Sequence, residues 1–192
     1  SSIQHERSWE MLAEEVGKPL PADHFKQGFG KRNAVIIPEI LGWTNDMEEI
    51  DRLGRRKEEL YRELVKSDGI KALPGVRELL EELKMAGIPC VVGTSTERKN
   101  LRLAFDLLEL SEFFLGSTCS EDVSRGKPDP EVFLHAAGQT SLPPEKCVVL
   151  EDSTHGIEAA IAGNMKALGL ATTHPAAKLE SAGAHCVIPD PT

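Results

Sequence analysis

Two stretches of this sequence carry residue types suited to handling a phosphate. Residues 126–133, GKPDPEVF, set Lys127 just ahead of a helix start. Residues 148–160, VVLEDSTHGIEAA, end an apolar run with Glu151 and Asp152 and then open a helix. A lysine ammonium offsets phosphate charge as a compact point charge. Adjacent carboxylates are hard oxygen donors of the kind Mg2+ prefers. A third stretch, VVGTST, follows an apolar run with Thr94, Ser95 and Thr96. Hydroxyls and backbone N–H groups at a helix start hold phosphate oxygens. Each stretch also has a plain structural reading. Thr94–Thr96 could cap a helix. Lys127 could be a solvated loop lysine, with Asp129 as the cap and Pro130 in the first helical position. Glu151 and Asp152 could only close a strand. The three in order, each beyond the carboxyl end of an apolar run, are more specific than any one.

The elements that must position these groups fall into two textures. Residues 1–69 read as a small helical bundle. HERSWEMLAEEVG places Trp9, Leu12, Ala13 and Val16 on one face, and Gly17 stops the helix. Met47, Ile50, Leu53, Leu60 and Leu64 form a stripe among charges up to Gly69. Between them, FKQGFGKRN interrupts the helical texture until about Asn33. Residues 70–192 alternate instead. Helical segments are expected at 72–87, 97–110, 129–139, 155–164 and 175–183, and strands at 88–96, 112–120, 147–153, 165–173 and 185–190. Such alternation means repeated βαβ units and a parallel sheet with helices on both faces. In an open parallel sheet, functional groups collect beyond the carboxyl ends of the strands, which is where all three stretches fall.

Bulk properties narrow the partners. A net charge of −9 leaves no basic face for nucleic acid, while a few local cations suffice for a small phosphorylated metabolite. The apolar runs are strand-sized, so no membrane span is expected. Cys90, Cys119, Cys147 and Cys186 lack Cys-x-x-Cys spacing, and three lie in or beside apolar runs. They read as buried free thiols of a reducing compartment, not as a disulfide framework. The histidines show no zinc spacing. The expected location is cytoplasmic, or an organelle stroma or matrix where a transit peptide has been removed.

On these motifs the chain resembles the haloacid-dehalogenase superfamily, in its β-phosphoglucomutase-like and phosphoglycolate-phosphatase-like branch. VVGTST is similar to that family's second motif, GKPDPEVF to its third and VLEDSTHGIEAAIAGNMKALGL to its fourth. HERSWEMLAEEVG and FGKRN resemble its helical cap. The resemblance implies a Rossmann-like core at 70–192 and a cap at 1–69. It also implies phosphate held by Thr94, Ser95 and Lys127, Mg2+ held on the side of Glu151 and Asp152, and His5 and Arg32 as cap residues facing substrate. The implied activity is a phosphatase of sugar phosphates or phosphoglycolate. A β-phosphoglucomutase-type mutase and a non-catalytic phosphate- or partner-binding protein stand as alternatives.

The family's first motif, Asp-x-Asp-Gly-x-x-x-Asp-[Ser/Thr], has no counterpart here, since SSIQHERSW resembles the family just after it. Its first aspartate attacks phosphorus and its second moves protons. The strand that carries it is expected between those ending at Gly93 and Leu150. We therefore expect a preceding segment of roughly 15–20 residues, and a fragment without it to be inactive. The rival expectation is a protein that has lost the motif. An Asp-x-Asp upstream would favour the enzyme, and any other pair would favour binding alone.

Overall fold

The computed structural model describes residues 2–192. They fall into two compact units, one built from the chain up to Lys71 together with Arg102–Leu108, the other from Ala72–Leu101 and Glu109–Thr192.

The first unit is helical. Helix α1 (Ser2–Val16) is followed by α2 (His24–Gly28), α3 (Asn33–Val35), a π-helical turn at Ile36–Ile40 and the long α4 (Met47–Asp68). α1 buries Trp9, Leu12 and Ala13, and α4 buries Ile50, Leu53, Leu60, Tyr61, Leu64 and Val65. These faces meet in one core with Ile36, Ile37, Leu41 and Trp43. Met47 lies outside the stripe expected of it, at 67% exposure, because it occupies the first turn of α4. Asp46 caps that helix by accepting from Glu49 N at 2.9 Å. Trp9 and Trp43 pack edge to face, with centroids 6.1 Å apart, and Trp43 Nε1 donates to Pro19 O at 2.8 Å.

The second unit alternates. Its order is α5 (Val76–Met85), β1 (Val92–Gly93), α6 (Arg98–Leu108, whose residues 102–108 group with the first unit), β2 (Ser117–Thr118), α7 (Glu131–Gly138), β3 (Val148–Glu151), α8 (Thr154–Ala162), β4 (Lys166–Leu170), α9 (Ala176–Ser181) and β5 (Cys186–Ile188). All pairing is parallel, in two sheets ordered β1–β2 and β3–β4–β5. β1 and β3 are therefore both edge strands among the described residues. β3 leaves Val148 60% and Leu150 43% exposed. The core gathers Val132, Phe133 and Ala137 of α7 with Ile157, Ala159 and Ala160 of α8, Met165, Ala167 and Leu179.

Three expectations change. The strand expected at 88–96 shrinks to Val92–Gly93 and that at 112–120 to Ser117–Thr118, with Ser111–Phe113 forming a 3-10 turn. There Phe113 N donates to Leu110 O at 3.2 Å and Phe114 N to Ser111 O at 3.3 Å, so these backbone donors are spent within the turn and not on a neighbouring strand. The cysteines are free, as expected, but only Cys119 is buried, while Cys90 and Cys147 are half-buried and Cys186 is exposed. β5 is the last strand of its sheet, so a residue at its start packs on one side only. Among the described residues, no helix is long and apolar enough to cross a membrane.

Candidate active site

The carboxyl end of β1 runs into Thr94. Its N–H donates to Thr118 O at 2.9 Å, which ties the turn to β2. Thr94 Oγ1 accepts from Thr96 N at 3.2 Å, a local turn bond of the kind threonine favours. Ser95, between them, is half-buried. Asn100 of α6 donates to Thr96 Oγ1 at 3.2 Å.

Lys127 comes from the loop between β2 and α7. Glu131 in the first turn of α7 shapes that loop by accepting from Ser124 N at 2.9 Å and Arg125 N at 2.8 Å. Those two bonds hold its carboxyl below the usual range. α7 starts at Glu131 with Pro130 as cap, one residue later than the sequence suggests, and Asp129 Oδ1 accepts from Glu131 N at 3.0 Å. The Lys127 side chain is 7% exposed, with Nζ 2.7 Å from Glu151 Oε2. It lies 4.6 Å from the centroid of Phe133. That ring in turn abuts the end of β1: a Cβ on Gly93 would sit 2.8 Å from Phe133 Cδ1. One ring thus joins the end of β1 to the lysine, and the lysine to the end of β3. A solvated loop lysine is not what the fold builds here.

Glu151 closes β3 and turns inward. Its Oε1 accepts from Ser153 N at 3.1 Å and Ser153 Oγ at 2.7 Å, and the same Oγ accepts from Gly156 N at 3.0 Å, capping α8. A Cβ on Gly156 would lie 2.1 Å from Glu151 Cδ, so a larger residue there would displace the Glu151 side chain. Burial alone would raise the Glu151 carboxyl. The Lys127 charge and the bonds from Lys127 and Ser153 outweigh it and hold the group below its ordinary value. Asp152 differs. Burial raises its carboxyl, and the neighbouring Glu151 charge adds to the rise against the opposing bond from Thr173. Thr173 Oγ1 donates to Asp152 Oδ2 at 2.6 Å, and His174 Nδ1 lies 3.1 Å from Asp152 O. None of these bonds uses Asp152 Oδ1. The two acids are hard oxygen donors and fit part of a divalent-cation shell. Among the described residues, no group of three or more His, Cys, Asp or Glu is placed to hold a metal by itself.

The second unit thus pairs Lys127 with Glu151, next to Asp152, and sets Phe133 between Lys127 and Gly93, the residue before Thr94 and Ser95. His5 and Arg32 belong to the first unit. The His5 ring stacks on Tyr61 at 3.8 Å with an 11° interplanar angle. Burial, then the Lys57 charge, lowers its pKa from 6.5 to about 3, so the neutral ring accepts from Lys57 Nζ at 2.7 Å. Arg32 is half-buried at the cap of α3, where its carbonyl accepts from Val35 N and Ile36 N. Lys57 and Glu58 escape a sequence reading. Lys57 is 3% exposed and 3.0 Å from Glu58, and Asn33 donates to the same Glu58 oxygen at 2.8 Å. The available signal was a lysine four residues from both Leu53 and Tyr61, inside the apolar stripe of α4.

Comparison with known proteins decides the family. The haloacid dehalogenase-like hydrolase family matches residues 6–170. The chain belongs to that family. It is similar to the chloroplastic 5-amino-6-(5-phospho-D-ribitylamino)uracil phosphatase of Arabidopsis thaliana, at 37% identity over 178 residues, covering 92% of this chain and 47% of that one. It is also similar to the phosphorylated carbohydrates phosphatase of Thermotoga maritima, at 32% identity over 80% of this chain and 70% of the relative. The crystal structure of a hydrolase from Pseudomonas syringae superposes with a TM-score of 0.90 at 28% identity, covering 100% of this chain and 88% of that one. The chain spans about half the length of the Arabidopsis relative. The Rossmann-like parallel architecture expected from the sequence is that of the family and of these neighbours.

Proposed function

We propose that this chain serves a Mg2+-dependent phosphatase of small phosphorylated metabolites, with phosphorylated carbohydrates and polyols as the first class to test. The observation that carries the reading is the convergence of separate strand ends: Lys127 meets Glu151 at the end of β3, and Phe133, beside Lys127, abuts the end of β1. Glu151 supplies the counter-charge to Lys127, and an ammonium with three donors keeps others for a phosphate oxygen. The names of the relatives, both phosphatases, support it.

In this reading each residue has a defined task. An ammonium has three donors. Glu151 takes one from Lys127 and so orients the others toward a phosphate oxygen. Thr94 and Ser95, with the N–H groups of their turn, hold the remaining phosphoryl oxygens in line for attack. Asp152 and Glu151 hold the divalent cation, which when bound neutralises charge on the phosphoryl group. The acceptor is a carboxylate on a strand that pairs with the open edges of β1 and β3, covering Val148 and Leu150. It attacks phosphorus as the alkoxide leaves with a proton from the second aspartate of the Asp-x-Asp motif, which then takes a proton from the water that hydrolyses the acyl phosphate. Arg32 remains the candidate for substrate selection by the helical unit, whereas His5, stacked on Tyr61 and bonded to Lys57, is engaged within that unit's core.

The test is a screen of the full-length protein against sugar phosphates, polyol phosphates and phosphoglycolate, with and without Mg2+. Release of phosphate that depends on Mg2+ and vanishes in Asp152→Asn is the expected result. Undiminished turnover after exhaustive chelation, or in Asp152→Asn, would overturn the reading.

A further inference from the structure

Beyond the residues of the family motifs, the turn after β4 makes two contacts with Asp152. β3 and β4 run parallel, with Glu151 opposite Gly169, so the loops that follow them leave the sheet on the same side. The loop after β4 carries Thr173 and His174 before α9 begins. Thr173 Oγ1 donates to Asp152 Oδ2 at 2.6 Å. His174 Nδ1 is 3.1 Å from the Asp152 carbonyl oxygen. A carbonyl can only accept, so this ring nitrogen carries the proton. One residue thus fixes the carboxylate and the next fixes its backbone.

A carboxylate at a strand end has free rotation about two bonds. With Oδ2 bound from the β4 side, one orientation of the carboxylate is favoured over the others. Glu151 is held by the same means from the other side, through Ser153. We propose that Thr173 is a positioning residue that pre-sets Asp152 to ligate the divalent cation, with His174 as the backbone anchor of the same turn. This rests on the reading of Asp152 as a metal-side acid. Hydrogen-bond partners of ligating carboxylates set their orientation and basicity, and losing one costs about 10–100-fold in metal affinity. Thr173 is exposed, so water competes for its place and the lower end applies.

The experiment measures Mg2+ affinity directly, by calorimetric titration of the full-length protein, independent of turnover. Thr173→Val, which keeps the shape and deletes the donor, is expected to weaken Mg2+ binding about 10-fold, and Thr173→Ser to restore it. Inorganic phosphate binding measured without metal is expected to stay unchanged in both. Thr173→Ala repeats the deletion should the valine variant fold poorly, which thermal unfolding reports. Wild-type affinity in Thr173→Val and Thr173→Ala, with affinity lost in Asp152→Asn, overturns the positioning role alone. Weak binding in Thr173→Ser as well overturns it too, since then the hydroxyl is not what matters. Wild-type affinity in Asp152→Asn overturns the metal-side reading on which it rests.

Discussion

Each unit of this protein buries a lysine against a glutamate and an aromatic face, and the two constructions differ in what the lysine has left to give. In the helical unit, Lys57 is next to Glu58 in sequence, lies over Trp9 at 5.4 Å and Tyr61 at 5.5 Å, and donates to both Glu58 and His5. In the α/β unit, Lys127 reaches Glu151 from 24 residues away, lies over Phe133, and donates at 2.7 Å to a carboxylate already held by Ser153. The first ammonium closes a network within one helical core. The second stands at a rim where three strands end. Burial of a charged pair is thus not by itself a mark of a site. What separates the two is whether the partners come from one local helix surface or converge from separate strand ends.

The largest effect that would break this contrast is on turnover. Lys127→Ala in the full-length protein should lower kcat by on the order of 10²–10³-fold, the usual cost of deleting one positioned donor. It should also destabilise the fold by about 3–5 kcal/mol, because Glu151 is left buried and unpaired. Adding Glu151→Gln should recover much of the stability and none of the turnover, as steady-state kinetics and denaturant titration would show. A variant with full stability and a near-normal rate would remove Lys127 from both roles.

The next effect belongs to the helical unit. Lys57→Met should cost about 3–5 kcal/mol by the same argument, since Glu58 loses its counter-charge in a closed core. Lys57→Met combined with Glu58→Gln should regain part of it, with Asn33 still able to donate to the amide oxygen. Additive losses in that double mutant would show the two residues to be uncoupled.

Gly156→Ala should be smaller, about 1–3 kcal/mol of overpacking, because the new methyl meets the Glu151 side chain at 2.1 Å unless that side chain moves. Since Glu151 orients Lys127, kcat should fall more than stability does. A crystal structure of the variant with Glu151 unmoved would sink this link.

The effect on pH dependence is graded, at its smallest near pH 6, and it separates the units spectroscopically. Both tryptophans, Trp9 and Trp43, lie in the helical unit, so their fluorescence reports that unit. His5 has a folded pKa of about 3 against 6.5 when unperturbed, so the unfolded chain takes up the proton first. Stability is then complete above 6.5 and declines as pH falls from 6.5 toward about 3, at no more than about 1.4 kcal/mol per pH unit. Glu58, held below its ordinary value despite burial, adds a loss in the same direction at lower pH. His5→Phe keeps the stack on Tyr61 and should flatten the pH 5–6.5 part of the fluorescence-monitored curve. An unchanged curve would show that His5 does not titrate in the core.

The sequence by itself determined the two textures, the order of the βαβ units and the three motif stretches. Periodicity, helix stops and strand-end polar residues are local properties, and they suffice for Trp9, Leu12 and Ala13 and for the rim position of Lys127, Glu151 and Asp152. The tertiary structure alone decided which donors those acids meet. Thr173 is 21 residues from Asp152 and reaches it only because β4 pairs with β3. Lys57 looks like one more charge on a charged helix until α1 brings His5 and Trp9 against it. The strand expected at 112–120 failed for the same reason: an extended run becomes a strand only over the length its partner offers, and β1 pairs with β2 over just Val92–Gly93 and Ser117–Thr118.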